Sequence, residues 1–289
     1  MAISLRERLA QPGLILAPSV YNALGALVAE RAGFTVVSVT GNGLSAAMLG
    51  RPDVGLLTMS EVVGQTRYIA AAASVSVIAD ADTGYGGPLN VYRTVKEFAA
   101  AGAAAVHIED QEIPKRCAYL DEPPVVVSVE QQLERLRAAR AAADETGILL
   151  IARTDAHRAY GIDEAIRRCL AYAEAGADLV MSATLGSVDE LARLSAAVPV
   201  PVVVNLNVSS PIAGAGPQEL EQAGAKVVVY PSVVRNAVLK AMWEALQKLR
   251  ETGRMADVAP YLAPATFYDE ILSTGEWVAL ERRFMGNPE

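Results

Sequence analysis

The sequence predicts an α/β protein that forms one (β/α)₈ TIM barrel with a helical extension at its C-terminus. Eight short runs rich in Val, Ile and Ala are apolar on both faces, as the buried strands of a parallel sheet are. Ala-rich stretches that also carry Glu and Arg separate these runs, in the manner of amphipathic helices. A chain of 289 residues accommodates eight such units.

The predicted strands alternate with helical stretches along most of the chain. A glycine just past a helix supplies the left-handed residue that ends it, and Ala-Gly pairs stand shortly before four of the strands, at Gly33, Gly102, Gly176 and Gly224. The repeated order is therefore helix, glycine stop, strand and polar loop. The eight predicted strands are 14–17, 35–39, 75–79, 104–108, 148–152, 178–181, 200–204 and 226–229.

An open, doubly wound sheet is the alternative arrangement of the same elements. Such a sheet more often carries a Gly-rich phosphate-binding loop after its first strand. In this chain the first strand is followed by Pro18-Ser19-Val20-Tyr21, which favours the closed barrel.

Composition narrows the class of protein. A hydrophobic content of 52% excludes a disordered chain, and a net charge of −8 argues against a nucleic-acid partner. Two cysteines do not form a disulfide framework, so we expect the reducing cytoplasm. The longest nearly apolar stretch, residues 69–79, is shorter than the roughly 20 residues that span a bilayer, so no membrane contact is expected.

Two segments depart from a plain barrel. Residues 111–128, after the fourth strand, form a long polar stretch of the kind that often acts as a lid. The stretch after Arg254 carries Phe267, Trp277 and other apolar side chains, and we expect it to pack on another surface, such as a neighbouring subunit.

Polar residues follow the strands at the end of the barrel where active sites lie. Residues two apart in an extended chain share a face, so the members of each pair below are expected to point the same way. The alternative interpretation, that these residues cap the following helices, is less favoured because three neighbouring strands show the pattern together. The residues are Asp80 and Asp82, His107 and Glu109, Arg153 and Asp155, and, after the seventh strand, Asn205 and Asn207.

Clustered carboxylates repel unless they are protonated or share a cation. Oxygen ligands select a hard cation, and Mg²⁺ is the preferred candidate, with Mn²⁺ able to use the same ligands. Zn²⁺ is disfavoured because the two histidines, His107 and His157, fit no zinc-ligand spacing.

Two further features point to chemistry only weakly when taken alone. Lys115 and Arg116 precede Cys117 and favour its thiolate, although an unreactive loop cysteine is the simpler interpretation. The loop Thr40–Gly43 offers backbone N–H groups for a carboxylate, but a plain tight turn fits it equally well.

Taken together, these motifs resemble those of the isocitrate lyase/phosphoenolpyruvate mutase superfamily, on the side of the 2-methylisocitrate lyase-like branch. The similarity runs in order from about Pro18 to the final helices. It implies a Mg²⁺-dependent barrel whose last helix is exchanged between the subunits of a dimer or tetramer. We therefore expect a barrel domain over residues 1–254 and, over residues 255–289, an extension that packs on a neighbouring subunit. The motifs are residues 49–55, 80–86, 107–111, 114–117 and 152–156.

The resemblance also implies a role for individual residues. Asp82 would be the main metal carboxylate, with Asp80, Glu109 and Asp53 around the same ion. Cys117 would mark the carbon–carbon lyase branch and act as the general acid, with Lys115, Arg153 and His107 as further catalytic residues. Thr40, Gly41, Asn42, Arg153 and Asn205 would bind the substrate.

The implied reaction is a retro-aldol cleavage of a small anionic 2-hydroxy di- or tricarboxylate. It would release a 2-oxo acid, such as pyruvate or glyoxylate, and a carboxylate enolate that Cys117 protonates.

The sequence departs from the lyase pattern at three places. Ala118 and Tyr119 replace the usual Gly-His after Cys117, and no Glu follows the sixth strand or stands near Val208. These changes make the distal pocket less polar, so we expect a substrate whose distal group is smaller or more apolar than that of a tricarboxylate.

Two alternatives stay open at this stage. The same enolate chemistry would serve an oxaloacetate decarboxylase or hydrolase, or a phosphonomutase of the carboxyvinyl-carboxyphosphonate type. A protein of another class, a non-catalytic subunit that binds a 2-oxo acid, is favoured by the missing Glu and His residues.

Overall fold

A computed structural model describes residues 3–117 and 120–285. All eight predicted strands are found, with ends that shift by at most three residues. The first strand shifts most, because it continues through Pro18 to Val20. The strands are β1 (Ile15–Val20), β2 (Val36–Val39), β3 (Ser76–Asp80), β4 (Ala105–Glu109), β5 (Leu149–Thr154), β6 (Leu179–Ser182), β7 (Val202–Asn205) and β8 (Ala225–Tyr230).

The strands form one closed barrel. Each strand pairs in parallel with the next, and β1 closes the ring on β8 through partners such as Ile15 and Val227. The predicted (β/α)₈ barrel is therefore confirmed, and the open doubly wound sheet is excluded.

Helices connect successive strands and cover the outside of the barrel. The four predicted glycine stops have φ angles between +91° and +97°, in the left-handed region that a helix-terminating glycine adopts. The helices are α1 (Leu5–Ala10), α2 (Ala23–Arg31), α3 (Gly41–Leu44), α4 (Met59–Ala72), α5 (Pro88–Ala100), α6 (Val129–Thr146), α7 (His157–Glu174), α8 (Val188–Ala197), α9 (Pro217–Gln222), α10 (Val233–Thr252), α11 (Met255–Val258), α12 (Ala265–Ile271) and α13 (Thr274–Met285), with a π-helical turn at Ser45–Leu49 and a 3₁₀ turn at Ala259–Tyr261.

Apolar side chains fill the barrel from its amino-terminal end. Leu5 of α1 is 2% exposed and packs with interior residues of the strands, such as Ile78, Ile151 and Val203. The helix α1 thus closes the bottom of the barrel, and the polar strand ends lie at the opposite mouth.

The predicted lid loop (residues 111–128) lies between β4 and α6. Its two ends meet through an isolated antiparallel bridge between Gln111 and Val126. Ala118 and Tyr119, the substituted lid residues, lie outside the described residues.

The C-terminal extension (residues 255–289) is helical as far as it is described, to residue 285. Its last helix, α13, buries no residue, and Trp277 and Phe284 are 70% and 75% exposed. Among the described residues, no helix is both long enough and apolar enough to cross a bilayer.

Candidate active site

The carboxyl ends of β3, β4 and β5 carry charged side chains at one level of the barrel. The strand register pairs Asp80 with His107, and Glu109 with Arg153. Residues paired in this way in a parallel barrel stand at about the same height. The structure brings these four side chains together at the mouth of the barrel.

A cavity of about 220 Å³ opens at this mouth. Of the twelve residues proposed for the site from sequence, ten line it. Gly41 and Asp82 do not, and Asp82 lines a second cavity of about 440 Å³ that shares Lys115 with the first. The ten residues are Thr40, Asn42, Asp53, Asp80, His107, Glu109, Lys115, Cys117, Arg153 and Asn205.

Asp80 and Asp82 do not come together by strand alternation, so that part of the sequence argument is wrong. β3 ends at Asp80, and Asp82 has a φ angle of +47°. The backbone N–H of Asp82 turns back and donates to Oδ1 of Asp80 at 3.2 Å. A tight turn therefore places the second carboxylate beside the first.

Lys115 of the lid loop reaches into this group of carboxylates. Its Nζ atom lies 2.7 Å from Oδ1 of Asp53 and 2.7 Å from Oδ1 of Asp82, and all three side chains are nearly buried. Buried charges persist only when they are compensated. The ammonium group therefore neutralises part of the acidic cluster and ties the lid loop to the strand ends.

Arg153 lies between two other carboxylates. Its Nη1 atom is 3.0 Å from Oε2 of Glu109, and its Nη2 atom is 2.8 Å from Oδ1 of Asp155. The second oxygen of Glu109, Oε1, is buried and has no hydrogen-bond partner among the described residues. A buried polar atom without a partner costs stability, so a donor or a cation is expected to satisfy it.

The aspartates of the cluster differ in acidity. Burial opposes the ionised form of Asp80, but the positive charges of Lys115, Arg153 and the His107 ring, which is protonated in the acidic range where Asp80 titrates, outweigh it and lower the pKa of this carboxyl to about 2. Burial, together with the charges of Asp80 and Asp53, raises the pKa of Asp82 to about 6 in spite of Lys115. A divalent cation would reverse the second shift by favouring the carboxylate.

His107 and Glu109 are both fully inside the site. Burial lowers the pKa of His107 below its usual range, although Asp80 opposes this, so the neutral ring is favoured. The Nδ1 atom of the ring lies 3.5 Å from Oδ1 of Asp80. Burial also raises the pKa of Glu109 well above its usual range, against the effect of Arg153.

The loop after β2 is arranged around Asp80. Thr40 caps α3 by accepting a hydrogen bond from the N–H of Gly43 at 3.2 Å, and the N–H of Gly41 donates to Oδ2 of Asp80 at 3.1 Å. A Cβ atom at Gly41 would lie 3.0 Å from that same oxygen, so a larger residue would push the Asp80 carboxylate away by a few tenths of an ångström. Gly41 thus orients a carboxylate of the cluster rather than offering a free donor to a ligand.

Cys117 faces the cavity from the lid loop. Its Sγ atom accepts a hydrogen bond from Nδ2 of Asn42 at 3.4 Å, and its backbone N–H donates to the carbonyl of Asp53 at 3.1 Å. The other cysteine, Cys169, is fully buried among apolar side chains, as expected for a core thiol. The two thiols therefore occupy very different surroundings.

Sequence reasoning missed Arg235. It lies in the first turn of α10, and its guanidinium donates to Oδ1 of Asn42 on the wall of the cavity. The only sequence signal is its position just after β8, because helix starts that follow barrel strands lie near the active-site mouth. Asn207, Ser19 and Ser38 add further polar groups to the same wall.

The donor set fits a hard divalent cation. Asp53, Asp80, Asp82 and Glu109 supply carboxylate oxygens within one buried group, and Glu109 keeps an oxygen without a partner. Within residues 3–117 and 120–285, no three acidic, His or Cys side chains already stand in a metal-ligand arrangement. Lys115 holds the position between Asp53 and Asp82, so a cation there would replace its ammonium group.

Comparison with known proteins agrees with this geometry. A family model described as phosphoenolpyruvate phosphomutase matches residues 5–250. The chain is 39% identical over 259 residues to 2,3-dimethylmalate lyase of Eubacterium barkeri, with 89% of each chain covered. It is 38% identical over 283 residues to 2-methylisocitrate lyase of Aeropyrum pernix, with 94% of this chain and 91% of the relative covered.

Solved structures show the same relationship. The structure of oxaloacetate acetylhydrolase in complex with the inhibitor 3,3-difluorooxalacetate has a TM-score of 0.91 and 31% identity, covering 99% of this chain and 97% of that one. Phosphonopyruvate hydrolase in complex with oxalate and Mg²⁺ has a TM-score of 0.84 and 32% identity, covering 97% and 98%. The named lyases among the relatives confirm the predicted enzyme class, a carbon–carbon lyase. The chain therefore belongs to the phosphoenolpyruvate mutase/isocitrate lyase superfamily.

Proposed function

We propose that this protein is a Mg²⁺-dependent lyase that cleaves the C2–C3 bond of an alkyl-substituted 2-hydroxy dicarboxylate. The observation that carries the proposal is that one cavity contains a thiol, the arginines Arg153 and Arg235 and part of a buried carboxylate cluster. Such a set can bind a dianion, support a cation and deliver a proton to carbon.

The carboxylate cluster is the proposed Mg²⁺ site, and Mn²⁺ would fit the same oxygens. Asp82 and Asp80 would hold the ion, with Glu109 and Asp53 beside them. The ion, when bound, would supply Lewis-acid stabilisation of negative charge on the oxygens at C1 and C2 of the substrate.

Arg153 and Arg235 would each bind one carboxylate of the substrate. Arg153, fixed between Glu109 and Asp155, would neutralise the carboxylate next to C2. Arg235, which enters from α10, would bind the second carboxylate, and Asn42 holds it in place. Asn42 also contacts Cys117, so it joins the site of the second carboxylate to the thiol.

Cys117 would act as the general acid. Breaking the C2–C3 bond leaves its electron pair on C3, while the hydroxyl at C2 loses its proton to the carboxylate cluster and becomes the carbonyl of a 2-oxo acid. The Sγ–H bond would then supply the proton that C3 takes up, giving the second carboxylate product. The lid loop, whose two ends meet at the bridge between Gln111 and Val126, would exclude water from the enolate.

The size and lining of the cavity favour a small substrate. A volume of about 220 Å³ and the apolar side chains of Met181, Val229 and Leu120 suit alkyl groups better than a third carboxylate. The loops after β6 and β7 bring no Glu or Asp to this wall. The similarity to 2,3-dimethylmalate lyase supports a substituted malate over 2-methylisocitrate.

Hydrolysis of oxaloacetate is the second candidate. The fold similarity to oxaloacetate acetylhydrolase, with a TM-score of 0.91, favours it. The two reactions differ in their products, because hydrolysis would release oxalate and acetate, and lyase action would release a 2-oxo acid.

The test is a product analysis of the purified protein with Mg²⁺. 2,3-Dimethylmalate, 2-methylisocitrate, oxaloacetate and phosphonopyruvate would be supplied separately, and the products would be followed by proton and phosphorus NMR. We expect pyruvate from the substituted malate at the highest rate. Oxalate from oxaloacetate, with no 2-oxo acid from either 2-hydroxy acid, would overturn the lyase proposal; binding without any product would favour a non-catalytic subunit.

We also propose a homo-oligomer in which α13 packs on a neighbouring subunit, supported by the exposed Trp277 and Phe284. The free thiols of Cys117 and Cys169 support a reducing compartment, the cytoplasm.

A further inference from the structure

Asp110 carries a buried carboxylate that touches neither the cavity nor the carboxylate cluster. The residue is fully buried, one position after Glu109, and four donors surround its two oxygens. Oδ2 accepts from Tyr172 at 2.8 Å, from Arg168 at 2.9 Å and from Thr154 at 2.7 Å. Oδ1 accepts from the backbone N–H of Asp155 at 2.8 Å. A buried carboxylate so fully satisfied is rigid, because each donor restricts its orientation.

On one side, this carboxylate fixes the chain that follows β5. Its bond to the N–H of Asp155 sets the position of the residue whose own carboxylate holds Nη2 of Arg153 at 2.8 Å. The orientation of the Arg153 guanidinium in the cavity therefore depends on Asp110 through one intermediate residue.

On the other side, the same group fixes the end of the lid loop. Nη1 of Arg168 donates both to Asp110 and, at 2.9 Å, to the carbonyl of Val127. The N–H of Val127 donates to the carbonyl of Asp110 at 2.8 Å. Val127 is thus held from both sides at the point where the loop that carries Lys115 and Cys117 returns to the barrel.

From this geometry we infer that Asp110, Arg168 and Tyr172 form a positioning network that sets the Arg153 guanidinium and the base of the lid loop together. The inference rests on the proposed function for its kinetic consequence. None of the three residues lines the cavity, so they would act through Asp155 and Val127. Replacing a buried ion pair by apolar groups is often neutral for stability, so stability alone gives no reason for such a network at this place.

The chain offers a matched pair for comparison. Arg140 and Asp178 also form an Arg–Asp pair, at 2.9 Å, and Asp178 also accepts a backbone N–H, that of Leu150. Leu150 lies near the amino end of β5, three residues before Arg153 and at the opposite end of the strand from the cavity. An Arg-to-Lys change there removes the same kind of contact without reaching the site.

The experiment compares Arg168→Lys with Arg140→Lys in the full-length protein with Mg²⁺. We expect kcat/KM of Arg168→Lys to fall by between about 10- and 100-fold, the usual cost of losing a residue that orients a site group. Arg140→Lys should keep kcat and KM within about twofold of the wild-type values, and its melting temperature should be similar to that of Arg168→Lys. Equal kinetic effects of the two changes would overturn the inference.

A second measurement does not depend on turnover. Deuterium uptake by peptides that cover residues 120–128 should increase in Arg168→Lys and remain as in the wild type in Arg140→Lys. The affinity for oxalate, measured by calorimetry, should weaken only in Arg168→Lys. If the wild type turns over none of the substrates, the proposed function fails, and these two measurements still decide the inference.

Tyr172→Phe serves if Arg168→Lys does not fold. It removes one of the four donors to Asp110 and keeps the ion pair. Deuterium uptake should therefore increase and oxalate affinity should weaken, both by less than in Arg168→Lys. Unchanged uptake and unchanged oxalate affinity in Tyr172→Phe would then overturn the inference.

Discussion

The Nζ atom of Lys115 lies between the buried carboxylates of Asp53 and Asp82 and compensates their charge. In Lys115→Met these carboxylates lose their cation, and breaking a buried pair by removing one partner costs about 3–5 kcal/mol. We expect a lower melting temperature in EDTA, and a larger stabilisation by Mg²⁺ than in the wild type because the ion no longer competes with an ammonium group.

Thermal denaturation with and without Mg²⁺ measures both effects. Lys96→Met is the control, since the Lys96–Glu145 pair at 2.8 Å is exposed and should contribute little. An Mg²⁺ effect in Lys115→Met no larger than that in the wild type would contradict the proposed competition.

The acidity of Asp82 predicts a pH dependence of metal binding. Its pKa is raised to about 6 in the metal-free protein, so a proton on this carboxyl competes with the ion below that pH. We expect the Kd for Mg²⁺ to rise at least about tenfold for each pH unit below about 6, because Asp82 takes up one proton there and Glu109, whose pKa is also raised, adds to the competition. Calorimetric titration from about pH 5 to about pH 7.5 tests this.

Asp82→Asn is the matching variant. It should bind Mg²⁺ more weakly and lose most of the pH dependence, because the competing proton has no carboxylate to occupy. Equal affinity of the wild type at both ends of this pH range would show that Asp82 is not a ligand.

Residue types at the site could be predicted from the sequence better than their contacts. Acidic residues at the ends of three neighbouring strands indicated the carboxylate cluster. The insertion of Lys115 between Asp53 and Asp82 and the use of the Gly41 N–H by Asp80 depend on how loops fold over the barrel. The spacing of residues along the chain does not predict these contacts.

At the scale of elements, the glycines that end helices determine where several strands begin. Gly224 separates α9 from β8 with a φ angle of +94°, and a Cβ atom there would lie 2.0 Å from Oγ of Ser195. Gly33 has a similar φ angle of +91° and open space around it. Substitution of Gly33 by alanine therefore introduces backbone strain alone, whereas substitution of Gly224 introduces both backbone strain and a clash with Ser195.

We expect Gly33→Ala to lower the free energy of unfolding by about 1–2 kcal/mol, the cost of a left-handed residue with a side chain. Gly224→Ala should cost about 1–3 kcal/mol more, because Ser195 must move. Urea denaturation of both variants gives the comparison. Equal losses would show that the surroundings of Gly224 adapt freely.

The barrel itself could be predicted almost completely, because buried parallel strands have an unmistakable composition. The errors lie at strand ends, where β1 runs on through Pro18 to Val20 and β3 gives way to a turn before Asp82. Arg235 was missed for a related reason. It belongs to the helix that follows β8, and the pattern of polar residues at strand ends does not reach into that helix.

At the scale of the whole molecule, the C-terminal helices leave much apolar surface uncovered. Trp243 of α10 is 64% exposed, and Trp277 and Phe284 of α13 are 70% and 75% exposed. Monomeric proteins rarely expose patches of this kind. We expect light scattering after size exclusion to give a multiple of the chain mass of 30.5 kDa.

A chain that ends at Ser273 should form a smaller oligomer by the same measurement, because it lacks α13. The control is Leu89→Ala, which removes an exposed apolar side chain of α5 and leaves the extension in place. A monomeric wild type would contradict the proposed exchange of helices between subunits.

The most direct test of the account is a crystal structure with Mg²⁺ and oxalate. We predict one ion among Asp82, Asp80 and Glu109, with oxalate between the ion and Arg153, and Nζ of Lys115 no longer between Asp53 and Asp82. A structure in which oxalate binds at the mouth and these carboxylates hold no ion would contradict the central claim.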